Sequence, residues 1–322
     1  MVVLFPLLEM VWLGGAFFVI FCYANAYVRV FQLLYLTNLA LVLDGAPDHS
    51  GGMVAKFFKN SKMNKWFRDL PFWSWAREYF NAELIKTVDL PPDKNYLFCY
   101  HPHGIISMGL QTSLGMDACG FSEMFPGIDR YVATLVASFK IPIFREWILC
   151  HGFVSCGSRT LKSILTTPRE EGRCKSVVLV PGGANEALYT HPGEFKVHLK
   201  NRKGFIRVAI QTGASVVPVI GFGENELFYC IDNESAGVGQ LVYKAQVFLM
   251  KKFSFSFPLL TRPIPRREKL VVVVGSPIAT KKEAEPSQAT IDRVHKEYCE
   301  QVEHIWNKHK DEYGKGIPFE IA

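Results

Sequence analysis

The sequence predicts an α/β protein: a mixed or parallel sheet flanked by helices, preceded by an N-terminal membrane-embedded helical segment. Three observations carry that expectation. Apolar runs of strand length recur at 96–100, 132–137, 176–180, 215–220 and 270–274, separated by stretches of helical period or loop character. Two of them, Val177-Val178-Leu179-Val180 and Leu270 to Val274, are continuous and rich in β-branched residues, as in strands covered on both faces. Such alternation favours right-handed crossovers within one sheet. Finally, residues 2–43 carry only two charges, Glu9 and Arg29, a stretch longer than the ~20 apolar residues that cross a bilayer.

The chain therefore divides into an anchor over 1–43, as one long helix or a hairpin turning near Ala24–Arg29, and a body over 44–322. The start lacks the basic n-region and cleavage site of a signal peptide. Lys56, Lys59, Lys62, Lys65 and Arg68 follow the apolar block, which places the body on the cytosolic side. The net charge of +6 is too weak to argue for nucleic acid, and no nucleic-acid motif is present. Eight scattered cysteines without a CxxC pair read as buried free thiols in a reducing compartment. Trp66-Phe67, Phe72-Trp73-Ser74-Trp75 and Tyr79-Phe80 suit either interfacial membrane contact or packing on the core. Residues 241–260 read as an amphipathic helix on a membrane or over a lipid entry, or as a buried helix. A last helix runs from Pro286-Ser287 to Gly314, with Ile291, Val294, Tyr298, Val302 and Ile305 as its apolar stripe.

Four strand ends or turns could carry chemistry. Tyr96 to Tyr100 runs into His101-Pro102-His103-Gly104, and the carboxyl end of such a strand is where open α/β sheets place ligands. Two imidazoles there are either a base with its support or part of a metal site. Only Cys99 adds to them nearby, and a zinc site wants three or four ligands, so no metal is expected. Val180-Pro181-Gly182-Gly183-Ala184-Asn185-Glu186 offers backbone N–H groups for an oxyanion or phosphate, and a carboxylate that can fix an imidazole tautomer. Arg202, Lys203 and Arg207 gather at the start of a predicted helix, as a phosphate cradle would. Val216 to Glu226 is a further strand entering a glycine loop with carboxylates, read as structural. No GxSxG elbow, P-loop or GxGxxG after a strand is present.

Together these segments resemble the monoacylglycerol/diacylglycerol acyltransferase family, which includes wax-ester synthases. The likeness rests on His101-Pro102-His103-Gly104, Pro181-Gly182-Gly183-Ala184-Asn185-Glu186, Arg202-Lys203-Gly204-Phe205-Ile206-Arg207-Val208-Ala209 and Val217-Pro218-Val219 with Phe222-Gly223-Glu224-Asn225, in order along the chain. Phe125-Pro126-Gly127 and Tyr79-Phe80 with Lys86-Thr87 fit as well. Three features depart from the pattern. Asn81 stands where the family usually has Pro; no Asp lies five positions after either histidine, where Ile106 and Met108 stand; and a Phe-x-Gly-Arg-Gly segment is absent after Leu259-Leu260.

The resemblance implies a glycerolipid acyltransferase-like fold and an enzyme of the endoplasmic-reticulum membrane or lipid droplet. It would move a fatty acyl group from acyl-coenzyme A, a substrate rather than a cofactor, to the hydroxyl of an acylglycerol or fatty alcohol. His103 would be the general base, with His101 orienting it or sharing the role; the sequence does not separate them. Glu186 would hold the imidazole. Backbone N–H groups near Gly104, Gly182 or Gly183 would take the oxyanion, and Arg202, Lys203 and Arg207 the coenzyme A phosphates. No cofactor is expected, membrane lipid is an expected partner, and homo-oligomerisation is open. The other reading is a catalytically inactive, membrane-anchored lipid-binding scaffold, suggested by the shortened segment.

Overall fold

Apolar runs that bury both faces form the middle of a seven-stranded sheet in this computed structural model, which describes residues 16, 19–20, 26–41, 61–168, 172–183, 186–187, 190–229, 240, 243–248, 260–262 and 264–322. The strands are β1 (Glu83–Lys86), β2 (Tyr96–His101), β3 (Ile128–Thr134), β4 (Phe153–Ser155), β5 (Cys174–Leu179), β7 (Ser215–Phe222) and β8 (Val271–Val274). Their order across the sheet is β1-β8-β7-β2-β5-β3-β4. All neighbours run parallel except β7 and β8. β6 (Phe195–Val197) and β9 (Phe319–Ile321) make a separate parallel pair.

Helices cover both faces. Alternate residues of β2 divide between them, because successive side chains of a strand point to opposite sides. Tyr96, Phe98 and Tyr100 enter a core built with α3 (Pro71–Phe80), the short α4 (Met108–Leu110), the π turn after it (Gln111–Gly115) and α5 (Phe121–Met124). Leu97 and Cys99 enter the opposite core, built with α7 (Ser158–Leu165), α8 (Gly204–Thr212) and the long α9 (Gln288–Tyr313). The mixed, parallel-rich sheet between helices agrees with the expectation from the strand runs. Because β2, β5 and β7 are parallel neighbours, the segments that follow them leave from one edge. That topology gathers His103, Gly182 and Glu224 from distant parts of the chain.

The shortest strands escaped the sequence pattern. β1, β4, β6 and β9 have three or four residues each, too few to show a period. β3 starts at Ile128 rather than 132, and Val136–Lys140 forms a 3₁₀ turn. Asn81 takes a left-handed conformation (φ 44°) at the end of α3, with its N–H donating to the Glu78 carbonyl. Proline has neither that φ nor that donor, so it could not form this helix end.

Of the proposed anchor, α1 (Ala26–Leu41) is described, and it runs through 26–29 without the turn considered there. Most of 1–25 lies outside the described residues, as does most of 241–260. No helix among the described residues is long and apolar enough to cross a membrane. α1 is tied to the body at Tyr35, whose hydroxyl donates to Glu146 Oε2 (2.5 Å) and accepts from the Ile143 N–H (3.1 Å). Its Tyr27, Phe31 and Leu34 are exposed. In the aromatic stretch, Trp73 and Phe80 are buried, which agrees with packing on the core, while Trp66 and Trp75 are exposed.

α9 is fastened by Trp306, which stacks on Phe222 and Phe319 and packs on Phe195. Trp306→Ala is expected to cost about 3–5 kcal/mol of stability, and exposed Trp66→Ala no more than about 0.5 kcal/mol. Denaturant midpoints of the two variants in the same detergent check this.

Candidate active site

The last residue of β2 sets the site. His101 follows Cys99 on the α9 side of the sheet, and its ring is fully buried. Its Nε2 lies 2.9 Å from the Tyr298 hydroxyl of α9. Tyr298 in turn reaches the Cys99 carbonyl (3.3 Å), so one helix side chain braces both the strand end and the imidazole. The other ring nitrogen, Nδ1, is 3.7 Å from Glu186 Oε1.

Glu186 comes from the turn after β5. Its buried carboxylate accepts the His103 N–H on Oε2 (2.8 Å) and the His198 N–H on Oε1 (2.9 Å). Burial pushes this carboxyl up, but His101 and the two backbone amides outweigh it and hold the group below the usual range. Gly182 makes room for it, since a Cβ there would overlap the Glu186 carboxyl. The Gly183 carbonyl accepts the Glu186 N–H (3.1 Å) and closes the turn.

His103 differs from His101 in every respect. It sits in the loop and is half-buried. Its Nδ1 is 3.0 Å from the Gly104 carbonyl. A carbonyl only accepts, so Nδ1 carries the proton and Nε2 keeps the lone pair. Burial lowers its pKa below 6.5 against the opposing pull of the Gly104 carbonyl and Glu186, so the ring is neutral at neutral pH. The loop is pinned by Ser107, whose N–H (3.0 Å) and hydroxyl (2.9 Å) both donate to the His103 carbonyl. Gly104 adopts φ +58°, where a side chain is strained.

The structure thus brings together His101, His103, Gly104, Gly182, Gly183 and Glu186. It differs from the sequence expectation in one contact. Glu186 meets the backbone of His103 and the ring of His101, not the ring of His103, because the His103 side chain turns back onto the Gly104 carbonyl. Arg202 and Arg207 are exposed at the start of α8, and Lys203 pairs with Asp292 (2.7 Å). α8 leads into β7, so its N-terminus faces the same sheet edge. Arg202 is also close enough to help depress His198, a shift caused first by burial. Cys99 does not complete a metal set: no metal-binding group of three or more His, Cys, Asp or Glu exists among the described residues. Sequence reasoning missed His198 and gave Tyr298 only a packing role. The Tyr298 hydroxyl is the one polar group in its apolar stripe, which was the available signal.

A neutral, loop-borne imidazole backed by a buried Glu–His–Tyr set lies at the carboxyl edge of a parallel-rich sheet, an arrangement able to take up and return a proton. The chain belongs to the diacylglycerol acyltransferase family, whose model matches residues 25–321. It is 35% identical to diacylglycerol O-acyltransferase 2B of Umbelopsis ramanniana over 310 residues, covering 92% of this chain and 84% of the relative. It is 34% identical to 2-acylglycerol O-acyltransferase 1 of Bos taurus over 294 residues, covering 88% and 83%. With diacylglycerol O-acyltransferase 2 of Danio rerio it shares 36% identity over 263 residues, covering 80% and 72%.

Gly182→Ala is expected to displace the Glu186 carboxylate and lower activity by at least about tenfold, read as initial rate in folded protein. Tyr298→Phe leaves the buried His101 Nε2 without its partner and should cost about 1–3 kcal/mol, read by denaturant unfolding.

Proposed function

We propose that the protein is a membrane-bound O-acyltransferase that moves a fatty acyl group from acyl-coenzyme A to the hydroxyl of a mono- or diacylglycerol or a long-chain alcohol. The relatives' names support the acylglycerol acceptors. The observation that carries the chemistry is the His103 ring, with Nδ1 committed to the Gly104 carbonyl and Nε2 free to take a proton.

In this reading His103 Nε2 removes the acceptor's hydroxyl proton as the oxygen attacks the thioester carbonyl. The oxyanion of the tetrahedral intermediate accepts hydrogen bonds from backbone N–H groups of Gly104 and the Gly182-Gly183 turn, of the kind worth about 3 kcal/mol each. Collapse breaks the carbon–sulfur bond, and the coenzyme A thiolate takes the proton back from His103. His101 and Glu186 act as positioning residues: both are buried, and Glu186 fixes the loop through the His103 N–H. Arg202 and Arg207, with Lys203 and the N-terminal amides of α8, would bind the coenzyme A phosphates. The apolar 1–43 segment, the outward apolar residues of α1 and exposed Trp66 and Trp75 support attachment to a membrane. The endoplasmic reticulum or a lipid droplet fits that attachment, with the body in the cytosol.

His103→Ala in detergent-purified protein is expected to lower acyl transfer from radiolabelled palmitoyl-coenzyme A to dioleoylglycerol by ~10²–10⁴. Transfer near the wild-type rate would remove His103 from the mechanism. Arg202→Ala with Arg207→Ala should raise the KM for acyl-coenzyme A about tenfold or more while kcat stays within about twofold, as loss of uniform binding does.

A further inference from the structure

The His101–Gly104 segment has a second buried carboxylate on the opposite face of the sheet, which the reaction above leaves unused. Tyr100 precedes His101 and therefore points to the other side of β2. There its hydroxyl donates to Glu224 Oε2 (2.8 Å). Glu224 follows β7 and is 1% exposed. It also accepts the Met108 N–H on Oε1 (2.8 Å) and the Gly109 N–H on Oε2 (2.7 Å), capping α4, the helix that continues the histidine loop. The surrounding backbone is shaped to this pair. A Cβ at Gly104 would lie 2.5 Å from Glu224 Cγ, and a Cβ at Gly109 or Gly221 would overlap the Tyr100 hydroxyl.

We propose that Glu224, held by Tyr100, is a positioning residue for the acyl transfer: it fixes the Gly104 and α4 side of the loop as Glu186 fixes the His103 N–H, so that the loop is clamped between two carboxylates. The proposal rests on His103 being the base. It also means that the Met108 and Gly109 amides are already committed to Glu224, which leaves the oxyanion to the amides of Gly104 and the Gly182-Gly183 turn.

Three donors favour an ionised acceptor. Tyr100 of β2 is the titratable side chain facing Glu224; α4 presents backbone amides with Val272 of β8 beside Gly109, and no cation among the described residues pairs with the carboxylate. Burial pushes the Glu224 carboxyl up to about 7, against the lowering pull of the Gly109 amide, the Tyr100 hydroxyl and the Met108 amide. Glu224 is ionised above that pH, and protonation below it weakens the clamp.

The test is the pH profile of kcat for wild type, Glu224→Gln and Tyr100→Phe, using radiolabelled palmitoyl-coenzyme A and dioleoylglycerol in mixed micelles, with folding checked by circular dichroism. Wild type should lose activity as pH falls through about 7. Glu224→Gln should lower kcat about 10- to 100-fold with the KM for acyl-coenzyme A within about twofold. Its acid limb should move down, because the His103 imidazole, held below its ordinary value by burial, then sets it. Tyr100→Phe removes a bond that lowers the Glu224 pKa, so its limb should move the other way, above about 7. If Glu224→Gln does not fold, the upward shift in Tyr100→Phe decides. Folded variants with wild-type kcat and an unmoved limb would overturn the proposal while leaving His103 as base. Retained activity in His103→Ala would instead undo the reading beneath it.

Discussion

The site depends on one buried carboxylate finding enough donors. A lone carboxylate in a protein interior is too costly to keep, and Glu186 is kept by the amides of His103 and His198 with the His101 ring beside it. Those partners come from the loop after β2 and the segment after β6, while Glu186 itself comes from the turn after β5. The ionic hydrogen bonds therefore act as a tie among three chain segments, and they form only if the parallel sheet brings those segments to one edge. β9 extends the tie: the Ala322 carbonyl accepts the Leu199 N–H (2.9 Å), and the Ala322 N–H donates to the Val197 carbonyl (2.7 Å), which steadies the strand that presents His198.

The two histidines sit in different surroundings because of the strand's pleat and its end. His101 is still in β2, so its ring is committed to the sheet's interior, between Tyr298 and Glu186. His103 is beyond the strand, and its ring folds onto the neighbouring carbonyl instead. A buried imidazole braced on both sides is suited to holding geometry. A half-buried one with a single committed nitrogen is suited to moving a proton. On the opposite face Tyr100 donates directly to Glu224, so the loop leaves the strand with a buried carboxylate on each side.

Much of this was legible in the sequence where the signal was local. The continuous valine runs of β5 and β8 declared strands buried on both faces, and histidines or glycines directly after β2 and β5 declared a site at the sheet's edge. Long-range pairings were not legible. Nothing in the spacing of residues 101, 103 and 186 says which imidazole faces the carboxylate, because that depends on where β2 ends and on the His103 ring turning to the Gly104 carbonyl. Tyr298 stands out on the α9 stripe only by its hydroxyl, and the partner of that hydroxyl shows only in three dimensions. Glu224 looked like a loop carboxylate; its burial follows from β7 lying beside β2, a neighbour relation the sequence does not state.

The central claim is the protonation pattern of His103, and nuclear magnetic resonance of the isotope-labelled histidine nitrogens in detergent micelles reads it directly, with His103→Ala assigning the signal. The account predicts a neutral His103 at neutral pH, protonated on Nδ1 with a bare Nε2, titrating below 6.5. A His103 that carries its proton on Nε2, or that is already charged at neutral pH, would contradict it.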